Sequence, residues 1–398
     1  MKKVVAKITI SLVSTLLCLG LLEGVTRLMV KPDPDGDLIY HFVRLKPLHP
    51  PVAKAKALLD AYNKDIANAK LIYDPELGWR PTAAGSDGNQ AGFASSHPNP
   101  SQMPRPGRLR IALFGGSYTR GQSDKSWWRV LDEQLRQKGV NAEVFNFGVP
   151  GYGMDQAYLR WKKDGAPYRP DLVVFGFSVG NAMDNLNILR LLENPETGIP
   201  FTKPRFIMDH DDLKLINSPT VSPDVLLQQI ADLSHWPLLQ YDHYYNPADY
   251  QPRWWEASRL LGLLAAKEEL IVERQEADRL YQMDAEPARL ALRIVQQFGA
   301  EVQRSGSQFL VVHLPAAPEL SYYQAHGRFS YSDLYNDMQV SVPVVHTEQN
   351  LLQVTGKQDI RSFFDDGHYT DQLHASVGAT LAEYIAAHMG KAYPLSRQ

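Results

Sequence analysis

The chain has 398 residues, and its 41 lysines and arginines against 44 aspartates and glutamates give a formal net charge of −3. This length and a hydrophobic content of 44% fit one large or two modest globular domains and exclude collagen-like and disordered classes. The balanced charge argues against a nucleic-acid partner, and the single cysteine excludes an intrachain disulfide and a cysteine-based zinc site.

The amino terminus has the pattern of a membrane segment. Three lysines flank or precede an uncharged stretch from Ile8 to Leu22. The exit from this stretch reads LGLLEGVTRLM, with bulky residues where a signal peptidase needs small ones, which favours an uncleaved anchor over residues 1–30 rather than a cleaved signal peptide. With the lysines on the cytoplasmic side, a single-pass anchor in the inner membrane leaves the rest of the chain in the periplasm or outside the cell.

Residues 31–107 are rich in proline, glycine, alanine and asparagine. The stretch PTAAGSDGNQAGFASSHPNPSQMPRPGR within them has no sustained apolar period. We therefore predict a loop-rich lead-in between the anchor and the main domain.

From residue 108 onward, short apolar runs rich in β-branched residues alternate with helical patterns. Predicted strands span residues 110–116, 142–148, 171–178, 308–315 and 342–347, and predicted helices 126–138, 153–165, 287–304 and 372–388. Near-continuous hydrophobic strands between helices indicate a parallel sheet covered on both faces. The fold class is α/β, a three-layer α/β/α domain over residues 108–398 with a flavodoxin-like sheet. The interval 186–286 shows no such strand and predicts a helical insertion.

The first strand leads into a candidate nucleophile. It runs into Gly115-Gly116-Ser117, and glycines let the backbone turn tightly and leave a serine hydroxyl exposed. A helix-capping serine is the alternative interpretation. A phosphate loop would need a lysine that does not follow here.

Other strand ends carry possible partners for that serine. The second and third end in NFGVPGYG and GNAMDN, and a glycine N–H and an asparagine amide are donor types that stabilise an oxyanion, although turn glycines and an Asx turn have the same pattern. Before the last helix stands Asp365-Asp366-Gly367-His368. An aspartate this close to a histidine can fix the imidazole tautomer, and a solvated surface pair is the alternative.

No cofactor or metal site is predicted. Histidines are scattered without HxxxH or HxH spacing, and the acidic run Asp209-His210-Asp211-Asp212 predicts a solvated loop. The aromatic run YDHYYNPADYQPRWW (241–255) in the insertion suits either a sugar-stacking platform or packing of the insertion onto the sheet domain.

Taken in order, the four strand-end features resemble the conserved blocks of the SGNH hydrolase superfamily, also called the GDSL esterases. GGSYTRG resembles the GDSxTxG block, NFGVPGYG the second, GNAMDN the third and FFDDGHYT the last, over residues 108–390. The lead-in YDPELGW (73–79) and the anchor are similar to those of a membrane-anchored bacterial branch, which is close to the proteins that add or remove O-acetyl groups on extracellular polysaccharides.

This resemblance implies roles for individual residues. Ser117 would be the nucleophile and His368 the general base, with Asp365 orienting the imidazole and Asp366 as the competitor for that role.

The resemblance also implies an oxyanion hole, formed by the Gly151 N–H, the Asn181 side chain and the N–H of the nucleophile. Two positions depart from the family pattern, with Gly116 and Ala182 standing where many members have aspartate.

The function implied is that of a serine esterase removing O-acyl groups, chiefly O-acetyl, from an extracytoplasmic glycan through an acyl-enzyme. An acyltransferase would use the same residues, with a sugar hydroxyl in place of water. A non-catalytic glycan-binding protein on a retained scaffold is the third hypothesis.

Overall fold

The amino-terminal part of the chain is more structured than its composition suggests. The computed structural model describes residues 2–41, 43–87, 89–98 and 100–395, with the backbone alone for residues 2 and 274–278. The elements before the main domain are α1 (Lys2–Met29), β1 (Lys31–Pro32), β2 (Leu38–Tyr40), β3 (Val43–Leu45), α2 (Val52–Lys64), β4 (Leu71–Asp74), β5 (Gly78–Pro81) and β6 (Ala94–Ser95). The predicted lead-in therefore contains two small antiparallel sheets, β1–β2–β3 and β4–β5, and one helix.

The first half of the main domain contains the strands and turns that hold the serine, glycine and asparagine. Its elements are β7 (Leu109–Gly115), α3 (Ser117–Arg120), α4 (Trp127–Gln137), β8 (Ala142–Asn146), α5 (Met154–Arg160), β9 (Leu172–Phe177), α6 (Gly180–Asp184) and α7 (Arg190–Glu193). A π-helical turn continues α5 to Gly165.

The second half contains the insertion and the histidine. Its elements are β10 (Arg205–Asp209), β11 (Asp212–Ile216), α8 (Pro223–Ala231), α9 (Arg259–Glu276), α10 (Glu286–Arg304), β12 (Gln308–His313), α11 (Ala317–His326), α12 (Ser332–Ser341), β13 (Val344–Val345), α13 (Glu348–Thr355), β14 (Phe364–Asp365), β15 (His368–Tyr369) and α14 (Asp371–Met389).

The central sheet has the order β13-β12-β9-β7-β8-β6, and all its neighbours are parallel except β6 on β8. Along β7, Ala112 and Phe114 join the hydrophobic cluster under α5 and α10, while Ile111 and Leu113 join the one under α4 and α14. This alternation follows from the two-residue period of a strand. The predicted three-layer α/β/α architecture is confirmed.

The interval 186–286, predicted as a helical insertion, contains the helices α7, α8 and α9 and, in addition, the antiparallel hairpin β10–β11. The acidic run at 209–212 forms the exposed turn of this hairpin. The aromatic run 241–255 serves mainly for packing, because Tyr244, Tyr245 and Tyr250 lie against the buried clusters, while Trp254 is exposed.

Candidate active site

The turn after β7 presents Ser117 at the carboxyl edge of the sheet. A Cβ on Gly115 would lie 2.1 Å from Thr119 Oγ1 and 2.8 Å from the Gly176 carbonyl oxygen, so the close approach of β7, α3 and β9 requires glycine there. Ser117 is the first residue of α3 and is half-buried.

His368 comes to this edge on a tight hairpin between β14 and β15. The two turn residues, Asp366 and Gly367, have φ of +45° and +73°, the left-handed pair that an Asp-Gly sequence favours. His368 Nε2 lies 2.8 Å from Ser117 Oγ, across a sequence separation of 251 residues. The hydroxyl and the imidazole are therefore within hydrogen-bonding distance.

The second ring nitrogen of His368 is held by neutral groups. Nδ1 lies 2.9 Å from the Asp366 carbonyl oxygen and 3.1 Å from Gln122 Nε2. For Nε2 to accept a proton from Ser117, Nδ1 has to carry hydrogen, and the carbonyl oxygen is then its acceptor. Gln122 offers its amide oxygen to the same N–H when the amide is turned over.

Tyr118 supports the histidine from the nucleophile's own helix. Its ring centroid lies 5.1 Å from that of His368, and its hydroxyl donates to the Gly367 carbonyl. Burial raises the pKa of this phenol, so it stays a donor. A second histidine nearby, His374, has its pKa lowered by burial to about 4 and is neutral at pH 7.

The two candidate acids occupy different places on the hairpin. Asp365 lies directly opposite His368 in the β14–β15 pairing, where Cβ atoms are about 4.5–5.5 Å apart on one face. It lines a cleft of about 610 Å³ together with Gln122 and His368. Within the described part of the chain, neither its carboxylate nor that of Asp366 hydrogen-bonds the imidazole. Asp365 as the orienting acid stays a prediction.

Replacing Asp365 by asparagine separates the two ways of orienting His368. If the Asp365 carboxylate orients the imidazole during the reaction, Asp365→Asn should lower kcat by about 10²–10⁴-fold. Asp366→Asn is the matched control and is expected to keep kcat, because Asp366 contributes its main-chain carbonyl. Initial rates on a short-chain ester give both values. A wild-type rate in Asp365→Asn would leave the carbonyl and Gln122 as the orienting groups.

Asn181 reaches the nucleophile turn from α6, at the end of β9. Its Nδ2 donates to the Tyr152 carbonyl at 3.0 Å and to Asp184 Oδ2 at 3.3 Å. A Cβ on Gly116 would come within 2.7 Å of the same Nδ2. The glycine that departs from the family pattern thus lets this amide lie against the main chain beside Ser117. The other departure, Ala182, is fully buried in the core under α10.

Gly151 lies in the turn that follows β8. Its φ of +76° is in the left-handed region, and a Cβ there would approach Ile199 at 3.3 Å, Trp79 at 3.4 Å and Arg190 at 3.6 Å. No described residue accepts a hydrogen bond from the N–H of Gly151 or of Ser117. These two N–H groups are available to a ligand.

Trp79 and Arg190 were not predicted as site residues. Trp79 is fully buried and donates from Nε1 to the Pro150 carbonyl at 3.2 Å, which braces the Gly151 turn from the lead-in. The YDPELGW motif contains it, so the sequence carried that signal. Nothing in the sequence indicated Arg190, which lies on the insertion.

An acidic network continues behind Asn181. Asp184 accepts from Arg190 NH1 at 2.7 Å, and Arg190 also pairs with Glu193. Burial and then the Asp184 carboxylate raise the pKa of Glu193 to about 9.

A fully buried ion pair fixes the start of α5, just after the Gly151 turn. Lys203 Nζ lies 2.5 Å from Asp155 Oδ2, and both side chains have no exposed surface. Burial raises the pKa of Asp155, and Lys203 opposes that shift. Asn185 Oδ1 accepts the Met154 N–H at 2.8 Å and so caps the same helix end. Among the residues that the structure describes, no three metal-ligating side chains cluster together.

Comparisons with known proteins found similar chains among the solved structures. The chain matches no family model and no curated protein. It is similar to a solved acetyl xylan esterase at 13% identity and a TM-score of 0.37, over 70% of this chain and 100% of the other. A GDSL-like lipase from Bacteroides thetaiotaomicron is similar at 12% identity and a TM-score of 0.34, over 73% and 93% of the two chains. A two-domain esterase active on acetylated mannans is similar at 12% identity and a TM-score of 0.35, over 73% of this chain and 52% of the other. A further similar structure, at 10% identity and a TM-score of 0.34 over 69% of this chain and 98% of the other, is described as a lipolytic protein of the G-D-S-L family from Desulfitobacterium hafniense.

Proposed function

We propose that the chain is a membrane-anchored serine esterase that removes O-acyl groups, chiefly O-acetyl, from a glycan outside the inner membrane. The observation that carries this proposal is the 2.8 Å contact between Ser117 Oγ and His368 Nε2 at the carboxyl edge of the sheet. A serine hydroxyl is a weak nucleophile until a neighbouring base takes its proton, and this contact supplies that base.

The residues suit each step of acyl transfer. As Ser117 Oγ bonds to the acyl carbon, its proton moves to His368 Nε2, and the carbonyl oxygen becomes an oxyanion. The N–H groups of Ser117 and Gly151 and the amide of Asn181 would receive that charge. Collapse breaks the ester bond and the sugar oxygen leaves with the proton from His368. Water, activated by the same imidazole, then releases the acid from the acyl-enzyme.

The Asn181 amide has to change partners in this scheme. Both of its N–H groups already have protein acceptors, the Tyr152 carbonyl and Asp184. The longer of these bonds, to Asp184 at 3.3 Å, is the one an oxyanion would replace.

The extracytoplasmic location in this proposal is supported by the amino-terminal helix. One described helix is long and apolar enough to cross a membrane, Lys3–Met29. The glycan substrate follows from the resemblance of the sequence to the branch described above.

Product analysis on the detergent-solubilised full chain tests this function. We expect acetate release from acetylated xylo-oligosaccharides, followed by proton NMR, at a rate well above that of buffer alone. Labelling of the chain by a fluorophosphonate would accompany it. Acetyl groups appearing on an added unacetylated oligosaccharide, in place of free acetate, would assign the chain as an O-acyltransferase. A chain that binds the oligosaccharide but neither releases acetate nor reacts with the fluorophosphonate would be a non-catalytic relative.

A further inference from the structure

The end of α1 and the start of α9 cap each other. The Glu23 carboxylate in α1 accepts the main-chain N–H groups of Arg259 at 3.1 Å and Leu260 at 3.0 Å. In return, Arg259 NH1 donates to the carbonyl oxygens of Arg27 at 2.9 Å and Val30 at 2.8 Å. Each side chain thus satisfies polar groups that the other helix end leaves without an internal partner. As a result, α9 begins at a fixed place on α1.

That place is the end of the apolar segment. Glu23 is the first charged residue after the uncharged stretch Ile8–Leu22, and the most apolar window of α1 has no surface buried inside the protein. A helix of 28 residues is about 42 Å long, against a hydrocarbon layer of about 30 Å, so its ends reach the headgroups. If α1 spans a bilayer, the first turn of α9 lies at the lipid–water boundary.

One face of α9 packs on the small sheet that follows α1. A Cβ on Gly262 would lie 3.1 Å from Leu45, Ala266 is buried, and Glu269 pairs with Lys46 at 3.0 Å. The spacing of four and then three residues places these positions on one side of the helix. This side is the inner face of α9.

The opposite face is apolar and has no cover within the described chain. Four apolar side chains on this face are 39–54% exposed, and their spacing places them on one side of the helix. We call these four residues, Leu261, Leu264, Ile271 and Val272, the outer stripe. An exposed apolar stripe of this kind on a helix marks an interaction surface. Trp254, just before α9, is 82% exposed.

The charges of α9 indicate what drives such an interaction. Between positions 259 and 273 it has two basic and three acidic residues, one of which, Glu268, lies within the outer stripe. This balance of charges gives no net electrostatic attraction to anionic lipid. The Glu268 carboxylate can lie among the lipid headgroups but not in the hydrocarbon layer. Exposed tryptophan is the residue type that membrane interfaces favour.

From the mutual capping, the depth of Glu23 and the outer stripe, we propose that α9 lies along the surface of the bilayer that α1 spans, with the outer stripe in contact with lipid. This rests on the anchor in the proposed function. The body of the enzyme is then held to the membrane at two places, the span and the interfacial helix, in one orientation.

Site-specific labels on the full chain in phosphatidylcholine nanodiscs test this contact. Cys18 is the only cysteine and is exposed on α1, so it reports insertion of the anchor in the native sequence. In a Cys18→Ser background, Leu264→Cys places a polarity-sensitive fluorophore on the outer stripe. Glu273→Cys on the same helix, turned toward the side of Ala266, is the matched control. Quenching is measured with nitroxides at shallow and deep positions of the lipid.

We expect a blue-shifted emission at position 264 that shallow nitroxides quench, with little change at 273 and no dependence on added anionic lipid. Adding Glu23→Ala should weaken the quenching at 264 while that at Cys18, measured in the native background, persists. Equal, unquenched emission at 264 and 273 with Cys18 quenched would overturn the lipid contact and leave the anchor intact. Protection at 264 without quenching would overturn it in favour of a protein partner. Loss of quenching at Cys18 itself would remove the anchor.

Discussion

The Ser117→Ala variant is expected to fold normally and to lose ester hydrolysis, with kcat lower by about 10⁴-fold or more. The substitution removes the atom that forms the acyl-enzyme and leaves His368 without the hydroxyl 2.8 Å from its Nε2. KM should change little, since one hydroxyl contributes little to ground-state binding. Initial rates on a nitrophenyl acetate and on acetylated oligosaccharide measure the loss.

The control for this variant is another serine of the same chain. Ser234 is exposed and hydrogen-bonds Asp232, far in sequence from the strand ends, so Ser234→Ala should keep the wild-type rate. A fluorophosphonate adduct should map to Ser117 by peptide mass analysis and disappear in Ser117→Ala alone. If Ser117→Ala retains activity within about tenfold of wild type, another nucleophile carries the reaction and the proposed mechanism is wrong.

Removing the cation of the buried pair is expected to have the largest effect on stability. Lys203→Met leaves the Asp155 carboxylate without its partner at a fully buried position, and breaking such pairs costs about 3–5 kcal/mol. Urea unfolding of the solubilised full chain, followed by tryptophan fluorescence, measures the change. The double variant Lys203→Met/Asp155→Asn should recover much of the loss, because neither member of the pair then carries a charge.

The loss in Lys203→Met should depend on pH in one direction. Burial already raises the pKa of Asp155, and without Lys203 nothing nearby opposes that shift as strongly. A carboxyl group whose pKa is higher in the folded than in the unfolded chain destabilises the fold as pH rises above the unfolded value, about 4. The variant should therefore approach wild-type stability near pH 4 and fall furthest behind at neutral pH. A loss of equal size at both pH values would mean that packing, rather than charge, is responsible.

The sheet could be predicted closely because its strands are almost uninterrupted apolar runs. The strands β7, β8, β9 and β12 begin and end within two residues of the predicted bounds, since burial on both faces leaves little choice of residue. The small sheets of the lead-in and the hairpin β10–β11 escaped prediction. Their strands have two to five residues with mixed polarity, and tertiary contacts rather than local pattern hold them.

Within the candidate site, the ordered blocks identified Ser117 and His368, because a parallel sheet collects its strand ends at one edge. The contacts of His368 Nδ1 were not predicted. A main-chain carbonyl is present at every residue, and a glutamine such as Gln122 occurs in many positions without a functional role. Arg190 was not predicted as a site residue for a related reason. Its place beside Gly151 depends on how the insertion folds back, which no local pattern specifies.

The support that the lead-in gives to the Gly151 turn affects how the chain can be shortened. Trp79 supports that turn, and β6 pairs with the outer edge of β8. A truncated chain starting at residue 108 would leave the outer edge of β8 unpaired and would leave a cavity in place of the Trp79 side chain. The cavity lowers the stability of the fold, and the unpaired strand edge favours aggregation. A shortened chain that keeps both supports therefore begins ahead of residue 71, upstream of all the strands that the sequence blocks predict.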